Sequence, residues 1–284
     1  MKKLVPLESQ EYFSYFIQIL KQKRKVKDIL TEMQDTIELR YQRYCENKED
    51  LSVIEVETFT QDQKKALLHC YEVSTKALES VKKQISELQE PTVRGKCQYC
   101  GIGVPTTFDH YMPKGIFPEY SVLPINLVPC CYECNNIRGE NWLLENKQRM
   151  TVNLYFDDLL MVKCLFSEIS YSDNIPETNF QMWSIDPSAN NQSFEQLKRH
   201  YSMLDLEKRY KLQAAGVISE TKRSIVIHTK LPCSREEIKQ WLLDEARAKS
   251  DTFGINYWEA SLMEGLANCD RFLQECLTEI CNKS

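Results

Sequence analysis

The stretch Cys97–Asn136, CQYCGIGVPTTFDHYMPKGIFPEYSVLPINLVPCCYECNN, holds five of the chain's twelve cysteines and one of its four histidines. Cys97 and Cys100 form one C-x-x-C pair, and Cys131 and Cys134 form another. Each pair can present two thiolates from one tight turn, and two such turns facing each other make a tetrahedral four-sulfur site suited to Zn²⁺. Such a closed site leaves no open coordination position, so the zinc is expected to stabilise the fold and not to activate water. Only Cys131 keeps the two-residue spacing to Cys134, so Cys130 is assigned to packing. The segment 93–148 is therefore expected to be a small zinc-stabilised domain, and it decides the reading of what surrounds it.

Between the pairs, TTFDHYMP places Asp109 beside His110 in a run of good β formers that Pro113 ends. Neighbouring residues of a strand point to opposite faces, so the two would need a twist or an edge to share one site.

The ordered string C-x-x-C, F-D-H-Y-x-P and N-L-x-P-x-C-x-x-C-N-x-x-R-G, spanning Cys97 to Gly139, resembles the HNH endonuclease superfamily, in its four-cysteine branch with a ββα-metal core. The resemblance implies a metal-dependent nuclease that hydrolyses DNA phosphodiester bonds. By that resemblance His110 is the general base, Asp109 and Asn135 hold a divalent ion, and Asn126 supports the loop against the strand carrying His110. Oxygen ligands favour Mg²⁺ or Mn²⁺ at such a site. Family members commonly carry lysine where this chain has Arg138. Arginine keeps the charge, so Arg138 is expected at a substrate phosphate, with Lys114 a second contact of that kind. A narrower likeness, carried by the residues from Asp109 to Asn136 with the following GENW and YFDD segments, is to bacterial HNH proteins suspected of antiphage defence and encoded with an ATPase. It implies a protein partner such as an ATPase, and homo- or hetero-oligomeric assembly. The competing readings are a non-cleaving zinc-stabilised nucleic-acid-binding or adaptor protein, and an RNA-directed nuclease.

The rest of the 284-residue chain reads as helical flanks, 1–92 and 149–284, giving an α+β protein that is mainly helical. Apolar residues recur at spacings of three and four from Val26 to Ile37 and from Leu67 to Leu88, which predicts two or three long helices before Pro91. Thr60 with Gln63 and Ser234 with Glu237 match the capping-box pattern. Asn191 or Ser193 is expected to cap a further helix, and Trp258 to Ile280 repeats apolar anchors at helical spacing. Two short runs, 162–169 and 180–185, suggest a small hairpin.

Net charge is −5, which excludes nucleic-acid binding by global charge alone and requires any such contact to be local. The basic run KQKRKVK, Lys21–Lys27, reads as a solvated helix face. No apolar run approaches the ~20 residues of a membrane span, so the expectation is a cytoplasmic protein without membrane contact. In that compartment the scattered cysteines are expected to be buried apolar filler. No glycine-rich phosphate loop is present, so the chain is not expected to bind a nucleotide of its own.

Overall fold

The computed structural model describes residues 1–8, 12–158, 162–184 and 191–283. The chain divides into two compact units, Lys2–Asp158 and Leu159–Ser284 with Met1. The helical stretch before Pro91 and the cysteine-rich segment thus belong to one unit. The architecture is α+β and mainly helical, with two two-stranded antiparallel sheets among the described residues.

In the first unit α1 (Tyr12–Lys21), α2 (Lys27–Glu32), α3 (Gln34–Glu46), α4 (Gln61–Glu72) and α5 (Lys76–Glu87) precede a one-turn α6 (Pro91–Arg94). The expected two or three long helices are therefore five shorter ones. The apolar stripe from Leu67 to Leu88 is interrupted at Ser74, because Thr75 turns extended and its hydroxyl accepts the Leu78 amide to start α5. Capping by a short polar side chain outweighs the continuous apolar pattern there. The Thr60–Gln63 box opens α4 with both reciprocal hydrogen bonds.

The basic run is likewise not a helix face. It spans the turn from α1 to α2, and Lys23 is buried with its ammonium donating to the carbonyls of His69, at 2.7 Å, and Val73. It closes the C-terminal end of α4, where unpaired carbonyls favour a cation.

Strand β1 (Thr107–His110) pairs antiparallel with β2 (Leu127–Cys130), in a register that sets Asp109 opposite Val128 and His110 opposite Leu127. Helix α7 (Tyr132–Arg138) follows at once. Tyr15 of α1, Val81 and Ile85 of α5, and Leu127 of β2 form one buried cluster on which Phe108 and Tyr71 also pack. The helical hairpin α4–α5 is thereby held against the β1–β2 ribbon.

In the second unit β3 (Leu165–Ser172) and β4 (Ile175–Met182) form a hairpin turning on Asp173 and Asn174, both at positive φ. Asn and Asp tolerate that conformation better than other side chains. The hairpin expected here starts later and ends earlier than its apolar runs; Ile185 of the second run lies outside the described residues. Helix α8 (Asn191–Met203) contains Ser193, and the residues before it lie outside the described set. The helices α9 (Leu206–His228), α10 (Arg235–Phe253), α11 (Trp258–Ala267) and α12 (Asp270–Asn282) complete the unit. The Ser234–Glu237 box caps α10, and the apolar repeat from Trp258 breaks at Asn268 into two helices. No helix among the described residues is long and apolar enough to cross a membrane.

Candidate metal centre and adjoining cleft

The sulfurs of Cys97, Cys100, Cys131 and Cys134 all lie within 4.8 Å of one another, and all four residues are buried. Cys100 and Cys131 approach to 3.9 Å, close to the ~3.8 Å edge of a tetrahedron with Zn–S distances of about 2.3 Å. Backbone conformation builds the site. The Gly101 amide donates to the Cys97 carbonyl at 2.6 Å, and Gly101 takes φ +69°, which a residue with a Cβ rarely adopts. A Cβ on Gly103 would meet Cys131 Cβ at 2.8 Å, so the first turn approaches the second only because Gly103 lacks one. Two amides point at sulfur, Ile102 to Cys100 at 3.4 Å and Cys134 to Cys131 at 3.5 Å, which favours thiolate. Hydrogen bonding from Cys100 pulls the Cys131 thiol down while the hydrogen bond with Cys100 pushes Cys134 up. The donor set and its spacing fit zinc. Cys130 stands outside the cluster, buried, its thiol pushed up to about 12 by burial.

The second knuckle passes directly into α7, whose first turn is capped by the Cys131 sulfur. The metal centre therefore sets the position of Asn135, one residue beyond Cys134. Asn135 Nδ2 donates to Thr107 Oγ1 at 3.1 Å and to the Phe108 carbonyl at 3.4 Å, which leaves its Oδ1 as the uncommitted atom of the amide.

An open cleft of about 620 Å³ is lined by Thr107, Phe108, His110, Lys114 and Asn135 from β1, the loop after it and α7, and by Tyr71, Lys82 and Lys83 from α4 and α5. His110 is 7 % exposed, and its Nε2 donates to the Ser121 carbonyl at 2.9 Å. A carbonyl only accepts, so Nε2 carries the hydrogen and Nδ1 is the basic nitrogen. Burial pushes the His110 pKa down to about 4, against the smaller pull of the Ser121 carbonyl, so the ring is neutral near pH 7. The edge of the ring meets Tyr71, with centroids 4.4 Å apart, and Tyr71 donates to the Phe108 carbonyl at 3.3 Å.

Asp109 and Arg138 are not among the residues lining this cleft. Asp109 Oδ2 accepts from Arg138 at 2.6 Å and from Tyr99 at 2.9 Å. The expectation of Arg138 at a substrate phosphate does not hold: the guanidinium is fully buried and spends its donors on Asp109, Thr151 and the carbonyls of His110 and Tyr111. A buried cation needs such partners, and three consecutive residues of β1 and the loop behind it supply them. Lys114 does reach the cleft, where it pairs with Glu72 at 3.1 Å. Asn126 is buried, taking the Met112 amide at 2.7 Å and donating to the carbonyls of Met112 and Tyr120, so it ties the long β1–β2 loop to itself. The motif between the cysteine pairs gives no hint of Tyr71, Lys82 and Lys83; the signal that could have exposed the lysines is the polar stripe at i, i+3 and i+4 on α5.

A search of curated proteins finds similarity to "Protein ea31" of Escherichia phage lambda, 26 % identical over 189 residues. The aligned part covers 63 % of this chain and 64 % of that protein, so the chain spans less than two thirds of the length of this relative. A scan against protein-family models finds no match. No solved structure matches the chain.

Proposed function

We propose that the chain is a metal-dependent endonuclease of the HNH type, hydrolysing phosphodiester bonds of DNA in the cleft beside His110, with a structural zinc in the four-cysteine site. The observation that carries this reading is His110 itself: a neutral imidazole in an open cleft, fixed by a carbonyl at Nε2 so that Nδ1 is the base. In that role Nδ1 takes a proton from water as the water oxygen bonds to phosphorus and the bond to the leaving oxygen breaks. A group neutral near pH 7 suits the task, since a protonated one could not accept. Asn135 Oδ1 lines the cleft and would hold Mg²⁺ or Mn²⁺ there, whose chemistry is to offset charge on the phosphorane and the leaving oxygen; Asp109, the second ligand that the resemblance implies, does not line the cleft and spends its carboxylate on Arg138 and Tyr99. Asn126 and Ser121 act one step removed, by fixing the loop whose carbonyl orients His110.

The same proposal includes a role in antiphage defence and association with an ATPase, which rest on the resemblance of the Asp109–Asn136 stretch and its neighbours. The test is a plasmid-cleavage assay with Mg²⁺ or Mn²⁺, with and without co-purifying protein, alongside zinc analysis. Cleavage by the unmodified chain and none by His110→Ala, at equal zinc content, supports the reading. Equal cleavage by both refutes the role of His110, and no cleavage in any assembly refutes the nuclease.

A further inference from the structure

The cleft has a second wall that the chemistry at His110 does not use. Glu79, Lys82, Lys83 and Ser86 all line it, at spacings of three and four along α5, while Ala77, Leu78, Val81 and Ile85 form the buried face of the same helix. One helix thus buries an apolar stripe on β2 and turns a polar stripe to the cleft. Three lysines line the cleft against one glutamate, in a chain whose net charge is −5.

The lysines are held but not committed. Lys82 sits over the face of Tyr71 at 4.6 Å, and the Tyr71 ring meets His110 with centroids 4.4 Å apart, so the ammonium and the imidazole share one tyrosine as neighbour. Lys82, Lys83 and Lys114 pair with Glu79 at 3.4 Å, Glu87 at 3.7 Å and Glu72 at 3.1 Å. Those three carboxylates are more than half exposed, and pairs of that kind contribute about 0–1 kcal/mol, which a phosphate can displace.

We propose that Lys82, Lys83 and Ser86 form a wall that binds the backbone of a phosphodiester strand, taking phosphates on the side of the cleft away from β1 while Lys114 takes one beside it. This deepens the nuclease reading and rests on it for the identity of the ligand. It makes the substrate a polynucleotide, whose successive phosphates can meet Lys82, Lys83 and Lys114 together. It also makes the N-terminal helical hairpin part of the substrate site.

The experiment measures fluorescence anisotropy of a labelled DNA duplex, and of an RNA of the same sequence, against the zinc-loaded full chain without added divalent ion over a salt series. Lys82→Gln with Lys83→Gln is expected to weaken binding roughly tenfold and to lower the slope of log K against log salt by about two, one for each lysine–phosphate pair removed. Lys82→Arg with Lys83→Arg should restore both, and the two arms tell which sugar the strand carries. Lys25→Gln with Lys27→Gln removes the same charge outside the cleft and should leave the dissociation constant near that of the unmodified chain. Equal losses in the two glutamine pairs, or no binding at low salt, overturns the proposal. His110→Ala separates it from the nuclease reading. Lysine-dependent binding retained in that variant supports the wall even if no cleavage is ever found. Cleavage with unchanged kcat/KM in the Lys82, Lys83 glutamine pair sinks the wall and leaves the nuclease standing.

Discussion

Arg138 shows how much one side chain can organise. Its guanidinium reaches Asp109 and the carbonyls of His110 and Tyr111, so truncation leaves a buried carboxylate with only the Tyr99 hydroxyl and no compensating cation, and takes a donor from two carbonyls. Arg138→Ala is expected to destabilise the first unit by about 3–5 kcal/mol, the usual cost of removing one member of a buried pair. Urea unfolding followed by tryptophan fluorescence measures it, and Arg138→Ala combined with Asp109→Asn should recover part of the loss. A loss below about 1 kcal/mol would mean that water reaches the pair. His110 sets a second test. Its folded pKa, about 4, lies below the ordinary 6.5, so the unfolded chain binds a proton that the folded chain refuses between those values. Stability from the neutral ring is therefore full above pH 6.5 and is lost as pH falls toward 4, by at most about 3 kcal/mol. The stability difference between the unmodified chain and His110→Asn should shift by that amount across this window, in paired urea titrations at each pH. A flat difference would mean that the ring takes up its proton without unfolding.

At the scale of elements, the zinc turns and the loop staple are separable. Cys134→Ser should bring zinc from about one per chain to near none and abolish the cooperative melting of the first unit, because metal binding supplies folding energy in such sites. Asn126→Ala should keep the zinc yet cost about 3 kcal/mol, since the Met112 amide and two carbonyls lose their partner in the interior. Metal analysis of refolded protein distinguishes the two, and zinc loss in both variants would show that loop and knuckles fold as one. Which elements were legible follows from range. The two capping boxes and the C-x-x-C pairs are local patterns whose partners lie within three residues, and the structure contains each in the expected place. Helix breaks were less legible: the apolar repeat runs on through Ser74 and through Asn268, and only the capping at Thr75 and the turn before Asp270 interrupt it. Arg138 and the α5 lysines were least legible. Their environments come from partners far along the chain, and a charged residue such as Arg138 reads as a phosphate contact, not as a buried tie, until those partners are placed.

For the whole molecule the division after Asp158 has a direct consequence. The Lys2–Asp158 unit holds its own apolar cluster, the four cysteines and both walls of the cleft. Its chain ends are tied within it: the Leu4 amide donates to the Leu154 carbonyl at 2.8 Å, and Gln89 bonds both the amide and the carbonyl of Val5. A fragment of residues 2–158 is therefore expected to fold alone, to bind one zinc and to melt in a single calorimetric transition. A fragment of residues 12–158 lacks those ties, leaving the Leu154 carbonyl without its partner and Gln89 with only its bond to the Ile85 carbonyl, and should melt several degrees lower; at a cost of about 1–3 kcal/mol per buried bond removed, a domain of this size shifts by roughly 4–10 °C. If the longer fragment shows no cooperative transition while the full chain does, the unit draws its stability from beyond Asp158, and the cleft would have to be studied only in the intact chain.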